Sequence, residues 1–380
     1  MTVAAAATIV PWEMYETYGD IRILKKCYDM MKKWVEYQSS TDRRNYGVRT
    51  VDGKEVPEQS DLATIPYIQV QQCRGDHLTY DNSTPYIYSA TAYAAHSADI
   101  LRRTAYILGK TDDEKRYTEL FENIKRAFND AWVNDDGSVS YYGEVSSQTA
   151  HCGESVALDG SVTRYTYYAE NTPHCPSQTA YALAVDFDLI PQDKLKNTRE
   201  YFKNSILRNN GKLTVGFLGI SHLAPALSKV GLDDVAFKLL EQEDNPSWLY
   251  SVKNGATTIW ERWNSYIAET DTFGDVSMNS FNHYSYGAIG QWFFTDILGI
   301  RPVEFGYKSF MLAPKFGGCL TYAKGSFTSP YGKISSAWKL HDGKFTYDCT
   351  VPTNTTATLK LPNGDIHTLV DGSYHFEINV

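Results

Sequence analysis

Long apolar runs are absent from the sequence, and their absence argues against a membrane-spanning protein. No stretch approaches the ~20 consecutive apolar residues that a transmembrane helix needs. The N-terminal stretch MTVAAAATIVPWEMY is apolar, but no basic residues precede its apolar part, and it continues into a helical pattern. We therefore interpret it as a helix and not as a signal peptide. Both a cytoplasmic and a secreted protein remain compatible with the sequence.

Clustered positive charge is also missing. The chain has 36 basic and 45 acidic residues, which gives a formal net charge of −9, and no run of Lys and Arg stands out. Proteins that bind nucleic acid carry a basic patch or stripe that neutralises phosphates. We therefore expect no nucleic-acid partner.

Cysteine motifs are missing as well. The six cysteines are scattered, and none forms a CxxC pair or a Cys/His cluster with zinc spacing. We therefore expect no metal and no cofactor. Buried thiols are the simplest interpretation of these residues, and a Cys152–Cys175 disulfide is an alternative if the protein is exported.

Aromatic residues are abundant: they make up 14% of the 380 residues and include 28 Tyr and 8 Trp. Aromatic rings pack cores, and they also stack on the apolar faces of sugar rings, while Tyr and Trp keep a polar group for hydroxyls. A chain of this length buries a sizeable core in one large domain or two unequal ones. The composition fits a globular protein and permits a carbohydrate site.

Apolar residues at helical spacing predict four helix pairs and one further helix. The predicted helices span about 4–18, 21–37, 84–108, 112–132, 177–190 and 191–207, then the stretches FLGISHLAPALSKVG and LDDVAFKLLEQED, and finally 278–300. Residues 39–82 and 134–175 carry turn signals and no sustained period, so we predict loops there. Repeated helix pairs with short connections indicate an α/α toroid or bundle.

The pattern changes near residue 301. Pro and Gly become frequent, and short alternating stretches such as KISSAWKLHDGKFTYDCTV and YHFEINV follow. The DGK between two alternating runs is a hairpin signal. We predict a helical domain over residues 1–300 and a small β-sandwich domain over residues 301–380.

The stretch GATTIWERWNSY places one carboxylate, Glu261, between Trp260 and Trp263, with Arg262 beside it. Glycoside hydrolysis needs a proton donor for the leaving oxygen and a second carboxylate on the other face of the sugar. Tryptophans could exclude water and stack on sugar, and a close Arg262 would keep Glu261 ionised. From these residues alone, a structural glutamate beside tryptophans is the more frequent situation.

The neighbouring motifs change this interpretation. In chain order, VPWEMYETYGD, CRGDHL, PSQTAYALAV, NPSWLYSVKNGATTIWERWNSY, MNSFNHYSYGAIGQWFF, GYKSFMLAPKFGG and VPTNTTATLKLP closely resemble the α-L-rhamnosidases of glycoside hydrolase family 78. The resemblance covers nearly the whole chain. It implies a mainly α fold with a β domain, in which an (α/α)6-barrel type helical toroid is followed by a C-terminal β-sandwich.

The resemblance also implies site residues and a substrate. Glu261 matches the general base that activates water in an inverting reaction. His283, in FNHYSYGA, matches a histidine of the sugar subsite, and Asp76, in RGDHL, matches a loop at the barrel mouth where His77 replaces the usual tryptophan. The implied aromatic walls are Trp248, Trp260 and Trp263. The implied partners are L-rhamnose-containing glycosides or polysaccharides.

One motif of the family is missing from the sequence. Nothing resembles the segment that carries the general acid, and we count about nine helices where a six-pair barrel needs twelve. We therefore expect a toroid that is incomplete at its N-terminus, with exposed apolar flanks that favour self-association. The carboxylates that could replace the acid are Glu13, Asp76, Asp271 and Asp275.

Two hypotheses follow for the function. In the first, the chain is an inverting α-L-rhamnosidase with Glu261 as its base. In the second, it is a truncated, non-catalytic rhamnose-binding remnant that lacks the general acid. A polysaccharide lyase with Tyr284 and His283 as its acid and base fits the architecture but not the series of motifs.

Overall fold

The computed structural model describes residues 3–40, 48–51, 54–57, 66–69, 75–80, 84–140, 152–156, 162–166 and 176–380. Within these ranges, eight helices form four successive pairs. They are α1 (Ala6–Tyr18), α2 (Ile21–Ser39), α3 (Tyr86–Ile107), α4 (Thr111–Trp132), α5 (Gln178–Asp186), α6 (Leu195–Leu207), α7 (Phe217–Lys229) and α8 (Asp233–Leu240). Two short helices follow, α9 (Trp248–Lys253) and α10 (Ile289–Trp292). The four predicted pairs are confirmed.

Side-chain caps fix where several of these helices begin. Asp20 caps α2 by accepting a 3.0 Å hydrogen bond from the amide of Arg22. Ser177 caps α5, and its hydroxyl accepts a 3.0 Å hydrogen bond from the amide of Ala180. Such caps satisfy amides that have no partner inside the helix, and each stabilises a helix by about 1 kcal/mol.

The helices form two layers. α1, α3, α5 and α7 pack side by side, and they run in the same direction because each is followed by a returning helix. Every residue of α5 except its last is buried, whereas α2 and α4 bury one face only. α7 approaches α5 closely, since a Cβ on Gly219 would lie 2.3 Å from Thr179 Oγ1. This is the arrangement of an inner ring of helices with an outer ring around it.

The predicted helix over 278–300 is confirmed only over residues 285–297, and it is wrong for the residues before them. Residues 279–284 are irregular, and a 3₁₀ turn (Ser285–Ala288), the four-residue α10 and a π-helical turn (Phe293–Ile297) follow them. The physical reason is that backbone groups in this stretch have partners elsewhere. The carbonyl of Ser280 and the amide of His283 bond to the segment around Glu261, so they are not available for a helix.

Two stretches that we predicted as loops contain strands within their described parts. β1 (Val48–Val51) pairs with β2 (Lys54–Pro57), and β3 (Cys152–Val156) pairs with β4 (Val162–Thr166), both antiparallel. The alternative of a Cys152–Cys175 disulfide involves Cys175, which lies outside the described residues. Cys27, Cys319 and Cys349 are free thiols.

The C-terminal part is a β-sandwich, as predicted. A minimal hairpin precedes it in the chain, formed by β5 (Tyr266–Ile267) and β6 (Thr272–Phe273). The strands of the sandwich are β7 (Ile300–Pro302), β8 (Ser309–Leu312), β9 (Tyr322–Ser329), β10 (Gly332–His341), β11 (Lys344–Val351), β12 (Thr356–Lys360), β13 (Ile366–Leu369) and β14 (Gly372–Asn379). They form two four-stranded sheets, in the orders β14-β11-β10-β9 and β13-β12-β8-β7.

The sandwich is anchored on the end of the helical region. Trp338 of β10 donates a 2.9 Å hydrogen bond from Nε1 to the carbonyl of Ile297, and Ser336 donates a 2.7 Å bond to the carbonyl of Leu298. Both acceptors lie at the end of the π-helical turn, where carbonyls lack helical partners. The sandwich therefore satisfies the backbone at the end of the helical part.

Candidate active site

Glu261 lies on an irregular segment that is hydrogen-bonded to the chain before α10. The amide of Glu261 donates a 2.8 Å hydrogen bond to the carbonyl of Ser280, and the amide of His283 donates a 2.8 Å bond to the carbonyl of Ile259. Asn279 adds a 2.8 Å bond from Nδ2 to the carbonyl of Ser265. These contacts hold Glu261 and His283 on two paired segments, without a long helix or a regular sheet.

The carboxylate of Glu261 is held by a single backbone donor. Its Oε2 accepts a 2.7 Å hydrogen bond from the amide of Ser280. Its Oε1 accepts no hydrogen bond from the part of the chain that the structure describes, and the residue is half-buried. One oxygen is therefore fixed in direction, and the other is available to a water molecule or to substrate.

Arg262 is directed elsewhere. Its Nη1 lies 3.4 Å from Asp275 Oδ2 and 3.4 Å from the carbonyl of Met278. Hydrogen bonds from Ser277, together with the charge of Arg262, lower the pKa of Asp275. Arg262 thus ties the 275–278 loop to the segment that carries Glu261.

His283 has a defined orientation. Its ring stacks on Phe217, the first residue of α7, at a centroid distance of 4.9 Å. Its Nδ1 faces the amide of Ser285 at 3.3 Å and accepts that hydrogen bond when the ring is neutral. When Nδ1 accepts this hydrogen bond, the ring proton is on Nε2. Nε2 can then donate a hydrogen bond to a sugar hydroxyl.

Asp76 occupies the N-terminus of α7. Its Oδ2 accepts hydrogen bonds from the amide of Gly216, at 2.8 Å, and from the hydroxyl of Thr179, while its Oδ1 accepts from the amides of Leu218, at 2.8 Å, and Gly219, at 3.2 Å. Burial raises the pKa of Asp76, and these four donors oppose that shift. Both oxygens are used by the protein, so the observed contacts are those of a helix cap. A sugar-binding role for Asp76 stays a prediction.

The predicted aromatic walls are largely packed against protein. Trp263 is 2% exposed, stacks on Tyr286 with the centroids 3.8 Å apart, and donates a 3.0 Å hydrogen bond to the carbonyl of Val215. The Trp248 ring meets Trp263 edge-on at 5.5 Å. In this structure these two rings form the framework of the site, and their stacking on sugar stays a prediction.

Trp260 lies beside a separate pocket. It is 6% exposed and meets Phe281 edge-on at 5.2 Å. The pocket has a volume of about 430 Å³, and its lining includes Thr258, Phe273 and Phe281 as well as Trp260. Glu261 is not among the residues that line it. Trp260 therefore forms part of an aromatic surface, and it directly precedes Glu261 in the sequence.

Tyr286 connects the parts of the site. Its hydroxyl donates a 3.1 Å hydrogen bond to the carbonyl of Leu78, in the loop that carries Asp76. Burial raises the pKa of Tyr286, and the charges of Asp76 and Glu261 act in the same direction. The structure thus brings Glu261, Asp76 and His283 together at the end of the ring where α7 begins.

The other three candidate replacement acids have different partners. Glu13 of α1 lies near Asp186 and His222. Desolvation by the surrounding protein and the charge of Glu16 raise its pKa to about 7, although the residue is exposed. Asp271 is exposed and accepts a 2.9 Å hydrogen bond from the hydroxyl of Tyr266. Asp275 has a lowered pKa, which opposes proton donation.

The described residues show neither a metal site nor a membrane span. Within the resolved ranges given above, no group of three or more His, Cys, Asp or Glu side chains could hold a metal ion. None of the helices in the same ranges combines the length and the apolar character that crossing a membrane requires.

Three site residues escaped prediction from the sequence. Ser280 holds the Glu261 carboxylate with its backbone amide, Phe217 supports His283, and Tyr286 joins the Asp76 loop to Trp263. The first was hidden because we predicted a helix there, in which its amide would bond internally. The other two lie in aromatic-rich stretches, FLGISH and NHYSYGA, that signal packing but not partners.

Paired helices around an inner ring, with a half-buried carboxylate among aromatic side chains at one end, are the architecture of a helical-toroid glycosidase domain. Family models narrow this class. The bacterial alpha-L-rhamnosidase 6 hairpin glycosidase domain matches residues 2–297, and the bacterial alpha-L-rhamnosidase C-terminal domain matches residues 299–376. The chain therefore belongs to the bacterial α-L-rhamnosidase family, as its motifs predicted.

Individual relatives agree with this assignment. An alpha-L-rhamnosidase of Formosa agariphila is 34% identical over 364 residues, which are 95% of this chain and 34% of that protein. The crystal structure of a Streptomyces avermitilis alpha-L-rhamnosidase complexed with L-rhamnose has 31% identity and a TM-score of 0.79, over 98% of this chain and 32% of that one. The Aspergillus terreus enzyme has 28% identity and a TM-score of 0.75, over 98% and 38%. The chain spans about one third of these relatives.

Proposed function

We propose that this chain forms the general-base side of an inverting α-L-rhamnosidase site, with Glu261 as the base. The observation that carries the proposal is the carboxylate of Glu261, which is half-buried, anchored through Oε2 by the amide of Ser280 and left with Oε1 available. A general base must keep a fixed orientation while one of its carboxylate oxygens accepts a proton from water. An anchored carboxylate with one open oxygen meets both needs.

The proposed reaction has two proton transfers. Glu261 takes a proton from a water molecule, whose oxygen attacks the anomeric carbon of the rhamnose from the face opposite the leaving group. The glycosidic bond breaks, and the leaving oxygen takes a proton from a general acid. The products are L-rhamnose with inverted anomeric configuration and the free aglycone, and no metal or cofactor takes part.

Three of the four candidate acids are engaged elsewhere in the structure. Asp76 is a helix cap, Asp275 is held ionised, and Glu13 belongs to the group formed with Asp186 and His222. Because proton donation to the leaving group accounts for roughly 10²–10⁴-fold in rate, we expect low turnover from the chain by itself. A chain without any general acid would have the second candidate function, that of a rhamnose-binding remnant without turnover.

Terminal α-L-rhamnose is the proposed ligand. His283 offers an Nε2 donor for a sugar hydroxyl, and the paired segments set it beside Glu261. The Streptomyces avermitilis relative has been crystallised with L-rhamnose, which supports the same sugar here. We propose glycosides or polysaccharides with terminal L-rhamnose as partners.

The first experiment measures release of the chromophore from an aryl α-L-rhamnoside by the purified chain, beside Glu261→Gln. The matched control is Glu269→Gln, since Glu269 is exposed on the turn between β5 and β6. We expect weak turnover that Glu261→Gln abolishes and Glu269→Gln preserves. Turnover that survives Glu261→Gln would refute Glu261 as the base.

Calorimetric titration with L-rhamnose separates the two candidate functions. Saturable binding without turnover identifies the chain as the rhamnose-binding remnant. Absence of both binding and turnover in a folded chain would refute both functions for this polypeptide.

A further inference from the structure

We propose that the pocket beside Trp260 is a second carbohydrate-binding site, which takes one neutral pyranose of a glycan. The pocket has a volume of about 430 Å³. We call it the Trp260 pocket, and its walls combine aromatic rings with hydroxyl groups, from Trp260, Tyr266, Phe273, Phe281, Thr257 and Thr258. Neither Glu261 nor His283 is among the described residues that line it, so the pocket is separate from the proposed rhamnose subsite. The proposal does not depend on Glu261 acting as a base.

The aromatic rings of the Trp260 pocket meet edge-on. The ring of Phe281 is 5.2 Å from that of Trp260 and 5.7 Å from that of Phe273, and both pairs are nearly perpendicular, at 79° and 76°. Edge-on contacts leave ring faces uncovered, and accordingly Phe273 is 57% exposed and Phe281 is 37% exposed. Uncovered aromatic rings that line a concave site are typical of ligand pockets.

The Trp260 pocket also presents polar groups. Thr257 and Thr258 are exposed, and Asn254 is a further lining residue. The hydroxyl of Thr258 donates to the carbonyl of Phe281, and Asn254 donates from Nδ2 to the carbonyl of Tyr250 at 2.9 Å. The hydroxyl of Thr257 and the Oδ1 of Asn254 make no hydrogen bond within the part of the chain that the structure describes. An apolar partner would leave both groups unsatisfied, whereas the hydroxyls of a ligand can bond to them.

The absence of charge narrows the class of ligand. No charged side chain is among the described residues that line the pocket, so a uronate or a phosphate would be desolvated there without a counter-charge. A pyranose is neutral, offers the C–H groups of its ring faces to aromatic rings, and carries hydroxyls at its edge. Ligand pockets span roughly 300–1,000 Å³, and a pocket near the lower end of this range indicates a single sugar unit.

The walls of the Trp260 pocket are held in place by the protein itself. The hydroxyl of Tyr250 donates to the carbonyl of Tyr266 at 3.2 Å and accepts from the amide of Ala268 at 2.9 Å, which anchors the β5–β6 hairpin. The amide of Gly274 donates to the carbonyl of Ser265 at 3.0 Å at the other end of this hairpin. A pocket whose walls are fixed before binding loses little conformational entropy when a ligand enters.

The position of the pocket indicates what the second site contributes. Trp260 directly precedes Glu261, and Phe281 directly follows Ser280, whose amide anchors the Glu261 carboxylate. A glycan held in the Trp260 pocket is therefore bound beside the segments that carry the proposed base. Binding one unit of a glycan raises the effective concentration of its other units at a neighbouring site.

Fluorine NMR of the chain labelled with 5-fluorotryptophan tests the proposal, with methyl α-L-rhamnopyranoside as the probe. The substitution Trp260→Phe assigns the Trp260 resonance. We expect this resonance to shift saturably at millimolar probe concentrations, the affinity range of a small ligand held by few contacts. Phe273→Ala removes a stacking face and should raise the dissociation constant roughly 10-fold, while Thr257→Val removes one hydrogen-bonding group and should raise it roughly 2- to 10-fold.

Two control variants separate the pocket from the rest of the chain. Phe294→Ala changes a phenylalanine that is 43% exposed and lies outside the pocket, and His283→Ala changes the proposed rhamnose subsite. We expect both to leave the titration of the Trp260 resonance unchanged. Circular dichroism verifies that all four variants stay folded.

A Trp260 resonance that does not respond to the probe overturns the proposal. So does a dissociation constant that is unchanged in folded Phe273→Ala and Thr257→Val, because the probe then binds elsewhere. Loss of the response in His283→Ala would show that the probe acts from the rhamnose subsite. Tighter binding of 4-nitrophenol than of the glycoside would make the pocket a site for aryl groups, and either of these two results overturns the proposal as well.

Discussion

Glu261 and Ser280 bond to each other twice. The amide of Glu261 donates to the carbonyl of Ser280 at 2.8 Å, and the amide of Ser280 donates to the Glu261 carboxylate at 2.7 Å. The first hydrogen bond fixes the backbone of Glu261, and the second fixes its side chain. The direction of the proposed base therefore depends on a backbone donor, which most substitutions of Ser280 leave intact.

Ser280→Pro should impair turnover, whereas Ser280→Ala should not. Proline removes the amide that anchors Glu261, while alanine keeps it. A hydrogen bond to a charged group contributes about 1.5–3 kcal/mol, so we expect kcat to fall roughly 10- to 100-fold in Ser280→Pro. The readout is hydrolysis of an aryl α-L-rhamnoside, with circular dichroism to verify folding. Equal rates in the two folded variants would contradict the anchoring role.

Asp76→Asn should destabilise the protein. The substitution replaces a carboxylate that accepts from three amides at the start of α7 with a side chain whose NH₂ group faces donors. Leaving buried donors unsatisfied costs about 1–3 kcal/mol. We expect a lower Tm in thermal unfolding, by about 2–4 °C for each kcal/mol.

Asp112→Asn is the matched control for Asp76→Asn. Asp112 also lies in the first turn of a helix, α4, but it is exposed. Its interaction with the helix dipole contributes only about 0.3–1 kcal/mol. A Tm change in Asp112→Asn as large as that in Asp76→Asn would show that the buried position of Asp76 does not increase its contribution to stability.

The helix pairs could be predicted from the sequence because the spacing of apolar residues reflects which side chains are buried. On α2, for example, Leu24, Tyr28, Met31 and Val35 are apolar at helical spacing, and all four are buried. The β-sandwich was predictable for the same reason, since alternation along β10 and β11 matches the pattern of buried side chains. The local pattern of apolar residues is therefore sufficient to predict a helix or strand that buries one face.

The site was less predictable because its geometry depends on contacts that are distant in the sequence. The stretch MNSFNHYSYG has helical spacing, but Ser280 and His283 use their backbone groups to pair with the Glu261 segment. Asp76 was predicted as a site residue from a motif, and its partners on α5 and α7 lie more than 100 residues away. A motif indicates that a residue matters, but its role follows from partners that only the fold supplies.

Asp296→Ala should destabilise the junction between the helices and the sandwich. Asp296 is 1% exposed, pairs with Arg301, and lies 3.1 Å from the ammonium of Lys315. Removing one member of a buried ion pair leaves an uncompensated charge and costs about 3–5 kcal/mol. We expect a smaller loss, about 1–3 kcal/mol, because the Arg301 side chain is 46% exposed and Lys315 keeps a second partner, Asp233, at 2.7 Å.

Urea unfolding of Asp296→Ala measures this cost, and Asp371→Ala is its control. Asp371 is exposed, so we expect less than about 0.5 kcal/mol there. Equal losses in the two variants would contradict a structural role for the junction.

His96 should make stability depend on pH. Burial lowers its pKa from 6.5 to about 3, and its ring stacks on Phe187 with the centroids 4.1 Å apart. Because the folded state disfavours the protonated ring, the unfolded state binds more protons below pH 6.5. The contribution of His96 to stability is therefore complete above about pH 6.5 and is lost as the pH falls towards 3.

His96→Phe should remove this part of the pH dependence, since phenylalanine keeps the stack and has no proton to bind. We expect the free energy of unfolding, measured with urea at several pH values, to fall less steeply between pH 6.5 and 3 than in the wild type. Other groups, including Asp186, still titrate in both proteins, so the difference between the two curves isolates His96. His341→Phe, at an exposed position, is the control substitution. Parallel curves for His96→Phe and the wild type would mean that His96 titrates alike in the folded and unfolded states.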